Sequence, residues 1–272
     1  MKKVNYHTHT EYCRHAGGRA EEYAAAARAE GLSILGFSDH MPFPGDPFGY
    51  RMNYEEIEDY YSDIRRIKAA CLPSPSNANP AGERRIEMEV FCGFEGEYIR
   101  GKEPYYESLL TGGDCDYLIL GQHMFLDRNG QLRNSGEMHG TKDYIHYFDS
   151  LIEGMKTGYF RLIAHPDLVF INPFAWDIEC ERACDRFFEA AGAGDYILEY
   201  NANGYRRGIH SFEDGPRLQY PHEKFWKKAA ELNLRAVVGS DCHEPSQMYD
   251  SYVKKAYEDA AALSLNIITE LF

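Results

Sequence analysis

The sequence lacks the features of several large classes of protein. Its seven cysteines include no Cys-x-x-Cys pair, which argues against zinc-finger and thioredoxin-like motifs. It also lacks basic clusters, and a formal net charge of −14 disfavours a general nucleic-acid or membrane-surface binder. No apolar run approaches the roughly 18 residues of a membrane-spanning helix, and the N-terminus shows no signal-peptide pattern. We therefore expect a cytoplasmic protein with reduced cysteines and no nucleic-acid or membrane partner.

Two motifs of enzymes that handle esters and phosphates are also absent. The sequence contains no Gly-x-Ser-x-Gly elbow that would carry a serine nucleophile. Residues 96–102 spell Gly-x4-Gly-Lys, but Glu103 follows where a P-loop has Ser or Thr. A carboxylate at that position would repel a phosphate group, so this segment is not a P-loop.

Strand-like and helix-like segments alternate along the chain. Short apolar runs predict strands at residues 3–6, 33–38, 86–93, 117–120, 160–164, 196–200 and 236–238. Helical patterns occupy residues 20–30, 54–71, 142–156, 178–191, 221–233 and 252–263, with a weaker one at 104–110. We expect a surface loop at 73–82 and a turn, within a small hairpin, at 127–130. Alternation of this kind indicates a parallel sheet, and 272 residues are compatible with a single barrel domain over residues 1–272.

Seven of the eleven histidines lie at or just after the ends of the predicted strands. The first two form His7-Thr8-His9 after the opening strand, and His15 follows on the next loop. Residues two apart on a strand project from the same face, so two imidazoles at a strand tip form half of a metal site. The carboxyl ends of barrel strands meet at one rim, where active sites are found. A shared metal centre is therefore expected at that rim.

Candidate ligands recur after the later strands as well. Glu95 is preferred to Glu97 as the bridging carboxylate because it follows its strand directly and is flanked by glycines, which allow close approach. Asp39 adjoins His40 and is expected behind it rather than in the metal shell. The remaining histidines, His139, His146, His210 and His222, are interpreted as surface or loop residues. The complete candidate set is His7, His9, His15, His40, Glu95, His123, His165, Asp241 and His243.

These motifs resemble those of the PHP (polymerase and histidinol phosphatase) superfamily across nearly the whole chain. The matching segments are HTHTEYCRHA, FSDH, GFEGEY, GQH, AHPD and GSDCH, and Cys242 replaces a small residue usual in the last of them. The resemblance implies a distorted (β/α)7 barrel with three divalent metal ions held by the nine residues above. Zinc, iron and manganese all suit such nitrogen-rich mixed sites. The resemblance also places the metal site at the C-terminal ends of the strands.

Within that superfamily the chain looks most like the histidinol-phosphate phosphatase branch. The likeness lies in the stretch from Glu199 to Arg207 and in the later Gln219-Tyr-Pro. It implies hydrolysis of L-histidinol phosphate in histidine biosynthesis, by attack of a metal-bridging hydroxide on phosphorus. The candidate residues are Arg206 or Arg207 for the phosphate, Tyr205 and Tyr220 for the imidazole pocket, Glu199 or Asp167 for the substrate ammonium, and Asp39 among possible proton donors.

Three other functions remain open at this point. The chain could be a PHP phosphoesterase for another small phosphate ester or a nucleotide. It could belong to the amidohydrolase-like barrels, which also begin with His-x-His but generally use a lysine where Glu95 stands here. It could also be a metal-binding barrel without catalytic activity, because a fold does not determine a function. The sequence leaves the metals and the oligomeric state undetermined.

Overall fold

Strands and helices alternate from one end of the fold to the other. The computed structural model describes residues 2–45, 48–71 and 88–272. Its strands are β1 (Val4–Asn5), β2 (Ile34–Phe37), β3 (Glu89–Gly96), β4 (Tyr117–Leu120), β5 (Met124–Leu126), β6 (Leu132–Asn134), β7 (Phe160–Ile163), β8 (Ile197–Asn201), β9 (Ile209–Phe212), β10 (Gly215–Leu218), β11 (Arg235–Gly239) and β12 (Asn266–Ile267). Its α-helices are α1 (Ala20–Glu30), α2 (Ile57–Cys71), α3 (Glu103–Thr111), α4 (Tyr144–Thr157), α5 (Ile178–Ala193), α6 (Asn203–Arg206), α7 (Glu223–Glu231) and α8 (Ser251–Ala262).

Eight of the strands form one curled parallel sheet. Its order is β1-β2-β3-β4-β7-β8-β11-β12, and every neighbouring pair in it is parallel. Beyond the ends of β1 and β11, Thr8 pairs with Cys242, and the amide of His9 donates to the Cys242 carbonyl at 3.0 Å. The sheet therefore closes on itself at its carboxyl end, while the short β12 lies beside the start of β11. This is a distorted barrel, and the predicted fold class is confirmed.

The barrel interior is apolar at its amino end. Its buried side chains come from alternate positions of the strands, as the period of two requires, and they include Tyr6, Tyr117, Ile119 and Leu162. The Tyr117 hydroxyl donates to the Tyr6 carbonyl at 2.7 Å, so this buried polar group is satisfied. The C-terminal Phe272 stacks on Phe91 with ring centroids 4.6 Å apart. The amino end of the barrel is thus closed by packed side chains.

The outer faces of the strands pack against the helices in a larger apolar core. Two of these helices begin where the sequence supplies a capping carboxylate. Asp177 accepts hydrogen bonds from the amides of Glu179 and Cys180 at the start of α5, and Asp250 caps α8 in the same way. None of the helices within the described residues combines the length and apolar character needed to cross a bilayer.

All seven predicted strands and all seven predicted helices have counterparts in the structure, with shifts of a few residues at their ends. The hairpin predicted around residues 127–130 is confirmed as the antiparallel pair β5 and β6. The hairpin β9–β10, the short helix α6 and the two-residue β12 were not predicted. The loop predicted at 73–82 and the first two residues of the predicted third strand lie outside the described residues.

Candidate metal centre

The carboxyl rim of the barrel gathers every residue that the sequence proposed as a metal ligand. The strands β1, β2, β3, β4, β7 and β11 each end next to one or more of them. Because the strands are parallel and form a ring, residues far apart in sequence come to lie within one cluster. The nine residues brought together are His7, His9, His15, His40, Glu95, His123, His165, Asp241 and His243.

Glu95 lies at the centre of this cluster. Its Oε1 is 2.7 Å from Nε2 of His165, and its Oε2 is 3.0 Å from Nδ1 of His40. Oε2 is also 3.4 Å from Nε2 of both His7 and His9. A Cβ added to Gly121 would lie 2.2 Å from Oε1, so the neighbouring strand end can carry no side chain there. One buried carboxylate therefore faces imidazoles from several strands, which is the arrangement expected of a bridging ligand.

Asp241 and His243 form the other side of the cluster. Oδ1 of Asp241 is 3.2 Å from Nε2 of His9 and 3.5 Å from Nε2 of His7. Nε2 of His243 is 3.1 Å from Nε2 of His15. The donor atoms of His9, His40 and His243 all lie within 4.8 Å of one another. Several overlapping groups of three donors thus share the same rim.

Two of the clustered residues adopt a strained backbone. His165 has a φ of 28° and Asp241 has a φ of 48°, both in the left-handed region that residues other than glycine rarely occupy. Such conformations cost roughly 1–3 kcal/mol each and persist where the surrounding structure enforces them. In both cases the strained residue turns its side chain into the cluster just after its strand ends.

Two buried glutamates lie behind the imidazoles of the cluster. Oε1 of Glu199 is 2.8 Å from Nδ1 of His7, and Oε1 of Glu97 is 3.6 Å from Nδ1 of His123. Arg51 pairs with both oxygens of Glu97, at 2.9 and 3.1 Å. A carboxylate on the far side of an imidazole fixes the orientation of the ring. Glu97, the reserve candidate for the bridging carboxylate, therefore supports His123 from behind.

The electrostatics of the cluster favour bound cations. Burial works against ionisation of Glu95, yet the imidazoles of His123 and His7 help to hold the pKa of its carboxyl well below the usual range. Burial likewise opposes protonation of His7, but the carboxylates of Glu199 and Asp241 outweigh it and raise the pKa of His7 well above its usual value. Glu95 therefore stays charged. Its negative charge stabilises a neighbouring imidazole that is protonated or that binds a cation.

The donor set fits divalent metal ions. Nε2 of His7 faces Nε2 of His9 at 3.0 Å, and two nitrogens with facing lone pairs repel each other unless a proton or a cation lies between them. The Nδ1 atoms of His9 and His165 are buried without a hydrogen-bond partner among the described residues. Burial lowers the pKa of His243 to about 3, which keeps its imidazole neutral and able to bind a metal. Imidazole nitrogens mixed with carboxylate oxygens suit zinc, iron and manganese.

A cavity of about 480 Å³ opens directly above the cluster. Besides the clustered residues, its walls contain Leu168, Asn203, Arg207, Tyr220 and Gln247. The guanidinium of Arg207 lies 5.6 Å from the centre of the Tyr220 ring, in a cation–π contact. The cavity thus offers one exposed positive charge and one aromatic wall next to the candidate metal centre.

Arg206 also borders the cavity, but its guanidinium is held by the protein. Nε is 2.9 Å from Oδ2 of Asp250, and Nη1 donates to the Ser240 carbonyl at 2.6 Å. Nη2 donates to the Ser240 hydroxyl and to the Gln247 carbonyl, each at 3.0 Å. Of the two arginines proposed for the phosphate, Arg207 is therefore the one whose guanidinium is exposed.

The structure corrects three of the expected substrate and proton-transfer contacts. The Tyr205 hydroxyl lies 2.7 Å from Oδ2 of Asp259 on α8, away from the cavity. Glu199 is fully buried behind His7, so a substrate ammonium does not reach it. Asp39 is also fully buried, and both its oxygens accept hydrogen bonds from Thr10, at 2.8 and 2.9 Å. None of these three side chains lines the cavity.

Two further residues differ from their expected surroundings. His222, expected to be a surface or loop residue, is buried just before α7 and stacks on Trp176 with ring centroids 4.8 Å apart. Oδ2 of Asp167 accepts hydrogen bonds from the His222 amide at 2.6 Å and from the Trp226 indole at 3.0 Å. Asp167 thus belongs to the packing around α7 rather than to the substrate cavity. His210 lies on β9 and is exposed, as expected.

Sequence reasoning missed several residues of the cavity wall. Leu168 belongs to a 3-10 turn after β7, while Asn203 begins α6 after β8. Gln247 ends a 3-10 turn after β11, and its Oε1 accepts the His243 amide at 2.8 Å. All three lie a few residues beyond a strand end. A search of the loops that follow each strand would have found them, because those loops form the active-site face of a barrel.

Comparisons with known proteins agree with this geometry. A Deinococcus radiodurans protein named "Probable histidinol-phosphatase" is 30% identical over 255 residues, which cover 89% of this chain and 86% of that one. A solved structure from Listeria monocytogenes has a TM-score of 0.71 at 19% identity, over 93% of this chain and 99% of that one. A histidinol phosphate phosphatase from Lactococcus lactis, solved with zinc, L-histidinol and phosphate, has a TM-score of 0.68 at 14% identity. The match covers 98% of this chain and 95% of the Lactococcus chain.

The family model described as PHP domain matches residues 5–203, which include the first seven of the nine clustered residues. Asp241 and His243 lie beyond the matched segment and join the cluster through the closing strand β11. The match spans more than half of the chain, and the barrel and its rim have the form that the sequence motifs imply. The chain therefore belongs to the PHP domain family.

Proposed function

We propose that this protein is a metal-dependent phosphomonoesterase that hydrolyses L-histidinol phosphate to histidinol and phosphate, a step of histidine biosynthesis. The observation that carries the proposal is the convergence of nine nitrogen and oxygen ligands beneath a cavity that also contains an arginine and an aromatic wall. The similarity to the Deinococcus protein over most of both chains supports the choice of substrate. The ligands present in the Lactococcus structure, which shares this fold, are consistent with that choice.

Three divalent cations are proposed for the rim, held by the nine clustered residues. Glu95 would contribute to more than one ion, because its two oxygens face different imidazoles. When bound, such ions lower the pKa of water and neutralise charge on the phosphate oxygens. Glu95 and Asp241 would supply the negative charge that retains the ions, and the imidazoles would complete the donor set.

The chain's own contribution to phosphate binding comes from Arg207. Its side chain borders the cavity, and the hydrogen bond from its Nη1 to Oε1 of Gln219 is long at 3.5 Å. It can therefore turn to donate charge-assisted hydrogen bonds to non-bridging phosphate oxygens. Phosphoryl transfer depends mainly on positioning and on charge neutralisation, so a guanidinium that binds the phosphate beside the ions would accelerate it.

The alcohol side of the substrate would lie against Tyr220 and Leu168. The Tyr220 ring is almost completely buried and packs against His165 with ring centroids 6.2 Å apart. A flat imidazole can pack against the part of this ring that borders the cavity, and a small cavity limits the size of the ester that enters. The amides of Asn203 and Gln247 provide hydrogen-bonding groups at the same wall.

The experiment is a substrate panel on metal-reconstituted protein, with a chelator-treated sample as control. Phosphate release is measured from L-histidinol phosphate, AMP and a short oligonucleotide with a terminal phosphate. We expect rapid release from histidinol phosphate alone, and loss of that release after chelation. Faster release from AMP or the oligonucleotide would assign the protein to another phosphoesterase activity.

Elemental analysis of the same reconstituted sample tests the metal count. Three ions per chain are expected. One or two ions per chain, together with absent phosphatase activity, would favour a hydrolase of the amidohydrolase type. Full metal loading with no turnover of any ester would indicate a binding protein.

A further inference from the structure

The strand β8 differs from the other strands of the closed ring because it contributes none of the nine clustered residues. Its inward positions alternate as Ile197, Glu199 and Asn201, from the apolar interior to the rim. Its neighbours in the sheet are β7, which leads to His165, and β11, which leads to Asp241. The polar end of β8 therefore lies between two strands that supply ligands.

Glu199 contacts two of the clustered residues. Its Oε1 is 2.8 Å from Nδ1 of His7, and its Oε2 accepts the backbone amide of His165 at 3.1 Å. The carboxylate is fully buried and Oε2 also accepts a hydrogen bond from Nδ2 of Asn201 at 2.8 Å. A buried carboxylate is tolerated only where such partners compensate for lost hydration. These contacts keep it directed at the imidazole of His7.

Asn201 extends these contacts to a third clustered residue. Its Nδ2 also donates to Oδ2 of Asp241 at 3.2 Å, while its Oδ1 accepts the amide of Asn203 at 2.8 Å. Nδ2 of Asn203 donates to the same Oδ2 at 3.2 Å. With Oδ2 held by both amides, Oδ1 of Asp241 is the atom that faces His7 and His9. Both backbone outliers of the rim, His165 and Asp241, are thus contacted by one strand.

The adjoining strand leaves room for this arrangement. A Cβ added to Gly239 on β11 would lie 1.7 Å from Oε1 of Glu199, well inside any permissible contact. Only glycine therefore allows the carboxylate to reach His7 at this point. The close approach indicates that the surrounding residues determine the position of the Glu199 side chain.

We propose that Glu199 and Asn201 are positioning residues that orient His7, His165 and Asp241 for metal binding. The inference rests on the metal-dependent function proposed above and names the residues that prepare its site. Glu199 acts through His7, since an acceptor at Nδ1 selects the tautomer that leaves Nε2 free for a cation. Asn201 acts through Asp241, because it occupies one oxygen and leaves the other turned into the cluster.

The chemistry of an amide at position 199 makes the proposal testable. Glutamine has nearly the same shape, but only one of its two terminal atoms accepts hydrogen bonds. If its oxygen faces His7, its NH2 group meets two donors, the amide of His165 and the NH2 of Asn201. If it turns over, it donates to Nδ1 of His7 and moves the imidazole proton to Nε2. Either orientation disturbs the ligand set without removing volume.

The experiment compares Glu199→Gln and Asn201→Ala with Asp149→Asn. Asp149 is a buried carboxylate on α4 that does not line the cavity and that pairs with Arg128 and Arg186. Metal affinity is measured by competition with a chromogenic chelator, and ligand geometry by the visible absorption of cobalt-loaded protein. We expect Glu199→Gln to weaken the affinity for at least one ion by about 10- to 100-fold and to shift the cobalt spectrum. Asn201→Ala should give a smaller loss in the same direction, and Asp149→Asn should leave both measurements unchanged.

Wild-type affinity and a wild-type cobalt spectrum in folded Glu199→Gln would overturn the proposal. If that variant does not fold, Asn201→Ala carries the decision in the same assay, and unchanged binding would again refute it. Neither measurement involves a substrate. A wild-type protein that fails to hydrolyse histidinol phosphate would therefore sink the proposed function while leaving the orienting role of β8 intact.

Discussion

The two halves of the barrel interior are built by the same strands but have opposite chemical characters. On β3, Phe91 packs against Phe272 at the amino end, whereas Glu95, four residues later on the same face, lies at the centre of the candidate metal cluster. On β8, Ile197 belongs to the apolar interior and Glu199 lies behind His7. The difference shows that one closed ring supports two tasks, with stability at one end and chemistry at the other.

The two ends also differ in how firmly their conformations are held. The amino end is filled with apolar side chains. Its buried Tyr117 hydroxyl lies within hydrogen-bonding distance of the Tyr6 and Phe37 carbonyls, at 2.7 and 3.1 Å. The rim contains strained residues and partly satisfied imidazoles, as functional sites often do. We therefore expect substitutions at the amino end to change the free energy of unfolding, and substitutions at the rim to change metal binding and turnover.

The largest effect is expected for Glu95→Gln at the rim. Removing this charge leaves several imidazoles without their shared carboxylate, so metal retention falls. Loss of several kcal/mol of charge stabilisation corresponds to about a thousandfold lower kcat. Phosphate release and elemental analysis of the purified variant measure the two losses. The same substitution at Glu153 on the outside of α4 is the control and should behave as wild type.

Ile119→Ala at the amino end should lower the free energy of unfolding by a comparable number of kcal/mol, without loss of turnover. Ile119 is fully buried in the barrel interior, and truncation leaves a cavity that costs about 2–5 kcal/mol. Urea denaturation measures the change, and kcat of the folded fraction should remain within about twofold of wild type, an effect of under 0.5 kcal/mol. A large drop in kcat per folded molecule would show that the two halves are not separable.

A smaller effect within the site itself is expected from Arg207→Ala. Losing charge-assisted hydrogen bonds of about 1.5–3 kcal/mol should raise KM roughly 10- to 100-fold, with metal content unchanged. Arg206→Ala is the matched comparison. Because the Arg206 guanidinium holds Ser240 and Asp250, we expect that variant to lose stability before it loses substrate affinity. The reverse result would exchange the roles of the two arginines.

The smallest effect concerns a histidine outside the metal site. Burial lowers the pKa of His222 to about 3, against a value near 6.5 when the chain is unfolded. As the pH falls below about 6.5, the unfolded chain binds a proton that the folded protein excludes. The free energy of unfolding should therefore fall by about 1.4 kcal/mol per pH unit from this group alone.

His222→Phe removes this contribution and keeps the ring stacked on Trp176, because neither ring nitrogen of His222 has a partner among the described residues. Urea denaturation at pH 7.0 and pH 5.5 measures the difference between variant and wild type. The free energy of unfolding of the variant, relative to that of the wild type, should be higher at pH 5.5 than at pH 7.0. Equal pH dependence of the two proteins would contradict the assignment, because it would show that His222 binds protons equally in the folded and unfolded states.

Much of the fold and of the metal centre could be predicted from the sequence. The order of strands and helices follows from apolar periodicity, and parallel strands place their carboxyl ends together. His7, Glu95, His165 and Asp241 could therefore be expected at one rim. The short β12 could not be found, because two residues carry too little periodicity to stand out.

The substrate and supporting residues were less predictable. Tyr205, Glu199 and Asp39 stand next to site motifs in the sequence, yet their side chains are held by α8, by His7 and by Thr10. The position of a residue next to a motif in the sequence predicts the strand end at which it lies. It does not give the direction in which the side chain leaves that end, because neighbouring elements decide which partners are within reach.

The sequence by itself therefore determined the class of fold and the identity of the candidate ligands, since periodicity and residue type are local properties. Only the tertiary structure decided which groups lie within the candidate metal cluster, which stand behind them and which belong to the core. Closure of the ring brings the end of β1 beside the end of β11, the neighbour of β8, and sets His7 against Glu199. Contacts of this kind join residues nearly two hundred positions apart, and they arise only when the ring closes.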